Sequence, residues 1–375
     1  MHIDWTSLSS HIFINPRYSD EERKRFNKIV ESGSLYPGHL WVSTSGSNSI
    51  KWVGLSKEAV LNSAQAVNAH LQTDSTDIWI HALPDFHVGG LGIWARSYLS
   101  GSNVYDFKMD ASKWNAPLFY QKVLEERVTL AALVPAQLYD IVQLQLRSPP
   151  SMRAMIIGGG HLSSEVYCEA IQLGWKVLPS YGLSECASQV ATAELGSWER
   201  QEIPPLKLLP HFQVEEDGSG RLKLKGTSVL SCYAMCDGDM CEFIDPKVGG
   251  WFTSEDRAEI IQTNVDSYLR IAGRIDHLIK VGGESVDFSK LESILQNVRF
   301  NLKITHDMTL VDFPDKRLGK VIHLIAVNEA EEAVKTVIGQ FNQQVLPHER
   351  IRHTHFMSQI PRSPLFKLLK SELFH

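Results

Sequence analysis

Long apolar runs are missing from this sequence. A helix that crosses a bilayer needs about 18 or more predominantly apolar residues in a row, and no stretch of the 375 residues approaches that. No spanning helix is therefore expected. An excess of positive charge is also missing. There are 37 Lys and Arg against 43 Asp and Glu, a net charge of -6, whereas tracking a nucleic-acid backbone needs clustered positive charge. No nucleic-acid partner is expected. The opening residues, MHIDWTSLSS, lack a basic run followed by an apolar core and do not read as a signal peptide. Cysteine is scarce: Cys168, Cys186, Cys232, Cys236 and Cys241. The odd count and loose spacing argue against a disulfide framework. No histidine or fourth cysteine lies near Cys232, Cys236 and Cys241 in sequence to complete a metal site. These absences point to a reducing, cytoplasmic compartment. Glycine is sparse in one telling place. The stretch WVSTSGSNSIKWV, Trp41 to Val53, carries small polar residues and a lysine but a single glycine.

What remains is ordinary for a globular chain, with 43% hydrophobic and 21% charged residues. The length allows at least two domains. The segment SDEERKRFNKIV has helical character. After Trp41–Val53, a Ser56 cap precedes Val60, Ala64, Val67 and Leu71, which recur at the helical period. The opening stretch thus sits in a strand-loop-helix unit. DIWIHALP, VTLAALVPAQLYDIV and MRAMIIGGGHLSSEVYCEAIQLGWKVLPSYG repeat strand then helix, with an apolar glycine-containing helix in FHVGGLGIWARSYLSGSNV. Alternation of this kind predicts an α/β layered domain with functional loops at the carboxyl ends of its strands. Residues 212–260 turn β-rich, with a hairpin at Asp217-Gly218.

The last hundred residues predict an α+β tail domain. Its first helix carries a Ser289-to-Glu292 capping-box pattern. Strands follow in MTLVDF and KVIHLIAV. Asn328 opens a helix with Val334, Val337, Ile338, Phe341 and Val345 on one face. The boundary falls near Asp276, giving domains over residues 1–275 and 276–375. There are no internal repeats.

Several residues could carry chemistry. A loop of Thr44, Ser45, Gly46 and Ser47 running to Lys51 can cradle phosphate through backbone N–H groups and hydroxyls, or it can be a polar surface loop. It is not a Walker loop, because no Ser or Thr follows Lys51. Gly158, Gly159 and Gly160 follow a buried strand and allow close ligand approach, or form a plain tight turn. Tyr181 can stack on a purine and Glu185 can hold Mg²⁺; on these residues alone a packed tyrosine and a solvated glutamate are the simpler reading. Asp256 and Arg274, 18 residues apart, fit ribose or phosphate recognition as well as a surface ion pair. His87 before Gly89-Gly90 fits a channel gate or a satisfied buried histidine.

Taken in order, four segments resemble the adenylate-forming acyl/aryl-CoA synthetases: STSGSNSIKWVGLS, YGLSECASQVAT, GWFTSEDRAEI with RIAGRIDHLIKVGGESVDFSKLE, and IPRSPLFKLLKSEL. The resemblance runs from about residue 41 to the end. PDFHVGGLGI, VTLAALVPAQLYDI and YGLSECASQVAT most resemble the branch that ligates o-succinylbenzoate to coenzyme A for menaquinone synthesis. The resemblance implies a large α/β N-terminal domain with a β-rich subdomain and a small mobile C-terminal lid. It implies ATP, Mg²⁺ and coenzyme A, with a carboxylic acid activated as acyl-adenylate before transfer to the thiol; a homodimer is compatible with it. Benzoate or a fatty acid as substrate, or a non-catalytic nucleotide-binding relative, are the alternatives.

Carried onto this chain, Thr44, Ser45, Gly46, Ser47 and Lys51 hold the β- and γ-phosphates, and Gly158–Gly160 line the acyl and adenine pockets. The same resemblance implies that Tyr181 stacks on adenine, Ser184 touches the α-phosphate and Glu185 binds Mg²⁺. It implies too that Asp256 takes the ribose hydroxyls with Arg274, that Lys367 reaches in from the lid, that His87 lies by the acyl pocket, and that Asp276 is the hinge. The sequence picks out no donor for a second carboxylate on the substrate. Ser49 stands where the family has glycine, and the path to Lys51 is one residue short and lacks the usual proline. Glu255 replaces a glycine beside Asp256, and Phe366 replaces the one before Lys367. Relatives also carry a longer segment before the first motif, so part of the first lobe is expected to be missing.

Overall fold

The computed structural model describes residues 3–32, 36–43, 51–109, 113–237, 240–327 and 331–373. Its centre is a nine-stranded sheet. In spatial order the strands are Asp256–Gln262, Ser267–Arg274, Leu206–Leu208, Ser188–Thr192, Val177–Leu183, Ala154–Ile157, Leu130–Leu133, Ile78–Ile80 and Asn103–Tyr105. From Val177–Leu183 onward, neighbours pair in parallel; the rest are antiparallel. Successive strand side chains point to opposite faces. Leu130, Ala132, Ala154 and Ile156 join one core with helices Lys57–Leu71 and Val88–Ser100. Ala131, Leu133, Met155 and Ile157 join the other with helices Ala116–Glu125, Pro135–Gln143 and Ser164–Gln172. The short fully apolar runs LAAL and AMII follow from burial on both faces.

Two smaller sheets complete the large part. In one, His11–Phe13, His39–Ser43, Trp52–Ser56, Cys232–Asp237 and Met240–Ile244 pair in that order. Helix Asp20–Ser32 packs there through Phe26 and Ile29 against Trp41 and Trp52. Gly54 is required in this core, since a Cβ would stand 2.6 Å from the Trp41 ring. The other sheet joins Phe212–Glu216, Leu222–Gly226 and Phe252–Thr253, with the hairpin at Asp217-Gly218. Ser56 caps Lys57–Leu71, its hydroxyl accepting from the Ala59 N–H at 3.0 Å. A disulfide joins Cys236 and Cys241, which lie directly opposite in a hairpin. The cysteine count and spacing did not anticipate it.

A separate core, drawn from residues 279 to 351, belongs to the smaller C-terminal α+β part. Its strands are Glu284–Asp287, Leu278–Val281, Gly319–Val327 and Met308–Asp315, with Ile351–Met357 also paired to Gly319–Val327. Helix Phe288–Asn301 begins differently from expectation. Its cap is Asp287, whose carboxylate accepts from the N–H groups of Ser289 and Lys290. A capping box at Ser289 does not form, because the Ser289 hydroxyl is bonded to His277 Nδ1 at 2.7 Å. The second helix runs Glu331–Gln343 and buries Val334, Val337 and Phe341; its expected start at Asn328 lies outside the described residues.

Among the described residues no helix is long and apolar enough to cross a membrane. In the tail sheet, buried His323 stacks on Phe313 with centroids 4.3 Å apart. Its Nδ1 lies 2.8 Å from His355 Nε2, and His353 is also beside it. Burial, then the adjacent His355 and His353, push its pKa down to about 4. The unfolded chain therefore takes up this proton first, near pH 6.5. Stability should be flat in this respect above that value and fall as pH drops towards 4. In thermal melts from pH 7 to 4, His323→Gln should show a shallower acid loss than the parent; parallel curves would contradict this.

Candidate active site

The carboxyl ends of the parallel strands open into a cavity of about 140 Å³. Gly158 and Gly159, at the end of strand Ala154–Ile157, form one wall. Gly159 adopts φ +78°, a backbone region that side chains disfavour, and a Cβ on Gly158 would press to 3.2 Å from the Ser180 carbonyl oxygen. Gly160 follows them but does not line the cavity. Ser184, at the end of strand Val177–Leu183, and His87, before helix Val88–Ser100, line it too.

Tyr181 and Asp256 meet at one side. The Tyr181 hydroxyl donates to Asp256 Oδ2 at 2.7 Å, and Arg274 Nη1 donates to Oδ1 at 3.3 Å. Asp256 and Arg274 are directly opposed in an antiparallel pair. Burial, then the Asp256 charge, hold the Tyr181 phenol well above its usual pKa, so it remains a donor. Gly182 makes this geometry attainable. The pairing with Ser188–Thr192 shifts register between Tyr181 and Gly182, bringing the two chains so close that a Cβ on Gly182 would lie 1.8 Å from the Ser188 carbonyl oxygen.

Glu185 accepts from the Tyr233 hydroxyl at 2.8 Å. Burial, then the Glu185 charge, raise the Tyr233 pKa. Lys51 Nζ lies 5.4 Å from the centre of the Tyr233 ring, within cation–π range. Lys51, Tyr233 and Glu185 thus form one run. Thr44, Ser45, Gly46 and Ser47 lie outside the described residues. Among the described residues no group of three or more His, Cys, Asp or Glu could hold a metal, so Cys232, Cys236 and Cys241 make no such site. Glu185 offers a single carboxylate, which fits Mg²⁺ only in the manner of an ion completed by phosphate oxygens and water.

The chain's C-terminal segment brings Lys367 and Leu365 to the same cavity. Lys367 stays exposed to the open mouth, yet protein surrounds it closely enough to lower its pKa. Burial is the main cause, Arg274 adds to it, and Glu185 and Asp256 oppose it. His87 Nε2 is buried without a hydrogen-bond partner among the described residues. Burial, then the nearby Lys367, push its pKa down to about 4, so the imidazole is neutral at physiological pH.

Sequence reasoning missed Arg96. It is 2% exposed and lines the cavity, and its Nε and Nη1 have no hydrogen-bond partner among the described residues. The guanidinium carbon lies 5.4 Å from the centre of the Trp79 ring. Burial lowers its pKa to about 10, which leaves it charged at neutral pH. A signal existed: Arg96 is the one charged residue in helix Val88–Ser100. Gly92 stands one turn earlier, where a Cβ would approach Arg96 Nη2 to 3.1 Å.

This arrangement of sheets and smaller α+β part is the adenylate-forming fold. A family model described as AMP-binding enzyme matches residues 44–233, just over half of the chain, and the chain belongs to that family. It is 25% identical over 319 residues to the 2-succinylbenzoate–CoA ligase of Staphylococcus aureus strain Newman, covering 83% of this chain and 61% of that protein. The chain thus spans about 61% of the length of the curated relatives it matches. It is also similar to the o-succinylbenzoate CoA synthetase of Bacillus subtilis in complex with the acyl-adenylate intermediate OSB-AMP. There the TM-score is 0.72 at 21% identity, covering 90% of this chain and 69% of that one. An ATP-bound RpMatB-BxBclM chimera gives a TM-score of 0.70 at 18% identity, covering 89% and 67%. At these identities the structural likenesses concern the fold.

Replacing Gly182 by alanine forces a carbon into the Ser188 backbone. The loss of stability in urea titrations should reach the upper end of the ~1–3 kcal/mol typical of overpacking, with Tyr181 and Asp256 separated. An unchanged midpoint would contradict the close approach described here.

Proposed function

We propose that the protein is an ATP-dependent acid–thiol ligase that activates an aromatic dicarboxylate, 2-succinylbenzoate, as acyl-adenylate and passes it to coenzyme A, releasing AMP and pyrophosphate. The observation that carries the substrate is Arg96. A buried guanidinium without an anionic partner among the described residues, facing a cavity, is a receptor for a carboxylate that arrives with the ligand. A fatty acid or benzoate has one carboxylate, which is consumed in the reaction. 2-Succinylbenzoate has a second.

In this reading the acid carboxylate attacks the α-phosphorus of ATP and pyrophosphate leaves. Tyr181 flanks adenine, and its bond to Asp256 fixes the phenol. Each Asp256 oxygen already accepts one hydrogen bond and has a further lone pair for a ribose hydroxyl, with Arg274 holding the carboxylate in place. Gly158 and Gly159 give the acyl and adenine groups close backbone approach, and Ser184 donates to the α-phosphate. Lys51 and Lys367 spread the negative charge that develops in the transition state, and Thr44 to Ser47 would complete the phosphate grip. Mg²⁺ on Glu185 would supply charge neutralisation between phosphates when bound. Neutral His87 borders the acyl and thiol path without repelling Lys367. The tail domain, residues 276–375 hinged at Asp276, then turns relative to residues 1–275 so that the thiol reaches the carbonyl and AMP departs. The compartment in this reading is the cytoplasm.

The test is AMP release and ATP–pyrophosphate exchange over a panel of acids, with and without coenzyme A. 2-Succinylbenzoate should support exchange alone and full turnover with coenzyme A. Arg96→Gln should raise KM for this acid by roughly 10- to 100-fold, the range for losing a hydrogen-bonded charge of ~1.5–3 kcal/mol. Activity confined to benzoate or fatty acids, or an unchanged KM in Arg96→Gln, would overturn the substrate. No exchange with any acid would overturn the enzyme reading.

A further inference from the structure

The loop that carries Lys367 contains a costly backbone choice. Phe366, immediately before it, sits at φ +60°, a left-handed conformation that glycine adopts freely and that an aromatic residue adopts rarely. The surroundings over-determine it. The Phe366 N–H donates to the Ser363 carbonyl at 2.8 Å, and the Ser363 N–H donates to the Lys367 carbonyl at 2.7 Å. Arg362 donates from Nη1 to the Phe366 carbonyl at 3.0 Å, while its other nitrogens hold both oxygens of Asp307 at 2.7 and 2.8 Å.

The ring's packing gives the strain a purpose. Other apolar residues of this C-terminal segment, Ile360, Leu368 and Leu373, pack within the tail. Phe366 and Leu365 instead pack against the main core of the large α/β part. A second tether acts on the same loop from the other end of the chain. Arg17 donates to the Arg362 carbonyl at 3.3 Å and to both oxygens of Glu372 at 3.0 and 3.1 Å. Arg17 itself belongs to an N-terminal segment fixed to the body by Lys57, which donates to the carbonyls of Asp4 and Ser7.

We propose that Phe366 is a positioning residue: its ring, docked on the large domain's core, latches the tail with Lys367 in the cavity. The proposal rests on the reading above that the tail moves between two half-reactions. Burial of the ring on the large part offsets the left-handed backbone only while the tail is docked. Phe366 therefore contributes differently to the two postures, which is what shifting their populations requires. Glycine at this position would relieve the strain in every posture and remove the anchor from one. Strain relief and loss of a latch thus predict opposite signs for Phe366→Gly.

Two measurements on the full chain separate them. In single-turnover assays, Phe366→Gly should slow adenylate formation about tenfold while leaving transfer of a supplied acyl-adenylate to coenzyme A equal or faster, and Phe366→Leu should recover most of the first step. Adenylation as fast as the parent, or equal slowing of both steps, would overturn the latch. The second readout needs no substrate. Spin labels at Glu126→Cys and Lys335→Cys, in a Cys168→Ser background, report the distance between body and tail. Phe366→Gly should broaden this distribution towards longer distances; an unchanged distribution would also overturn the proposal. If no acid supports adenylation in the parent chain, the functional reading fails, and the distance measurement still decides the latch.

Discussion

The pairing of Asp256 with Tyr181 and Arg274 holds the candidate site together. One carboxylate receives a phenol from the strand Val177–Leu183 and a guanidinium from the strand Ser267–Arg274. These strands are separated in the central sheet by Ser188–Thr192 and Leu206–Leu208, so the contact bridges across it. The same carboxylate acts on Lys367, opposing the lowering of its pKa by burial and by Arg274. Without Asp256, Glu185 alone would offset the charge of Arg274 at Lys367. Gly182 is part of this arrangement, because the shift in register that aims Tyr181 at Asp256 leaves no room for a side chain.

Arg96 poses the opposite electrostatic situation. Burial of an isolated charge is expensive, and proteins ordinarily supply a partner. Here the cation is buried, its pKa lowered only to about 10, and Trp79 is its aromatic neighbour. An anionic ligand group entering the cavity would complete the pair. In the function proposed above, a preference for a diacid over a monoacid arises from leaving Arg96 bare when the second carboxylate is absent, and not from shape alone.

Much of this was legible in the sequence. The alternation of apolar runs with amphipathic segments gave the layered α/β part, and the period of Val60, Ala64, Val67 and Leu71 gave a helix capped by Ser56, as observed. Tyr181, Asp256 and Arg274 could be singled out because each sits beside a strand end with a side chain suited to nucleotide recognition. Their mutual hydrogen bonds were not legible, since contacts between residues 75 apart depend on strand order. Arg96 was passed over because a helix of glycines and apolar residues reads as packing, and only tertiary structure reveals that its lone charge is buried and, among the described residues, unpaired. The Asp287 cap was missed for a related reason: Ser289 has the right spacing to Glu292, but His277 claims its hydroxyl. Phe366 was visible as a substitution for glycine; its left-handed backbone and its packing on the large part were not.

In the proposed function, Arg96 and the Tyr181–Asp256–Arg274 cluster serve one ligand, an adenylate whose acyl group bears a second carboxylate. Equilibrium titration with a stable sulfamoyl mimic of 2-succinylbenzoyl-adenylate, against the same molecule with its free carboxylate converted to a methyl ester, tests this most directly. The carboxylate form should bind at least about tenfold more tightly, as expected for a charge-assisted hydrogen bond of ~1.5 kcal/mol or more. Equal affinity for the two compounds would contradict it.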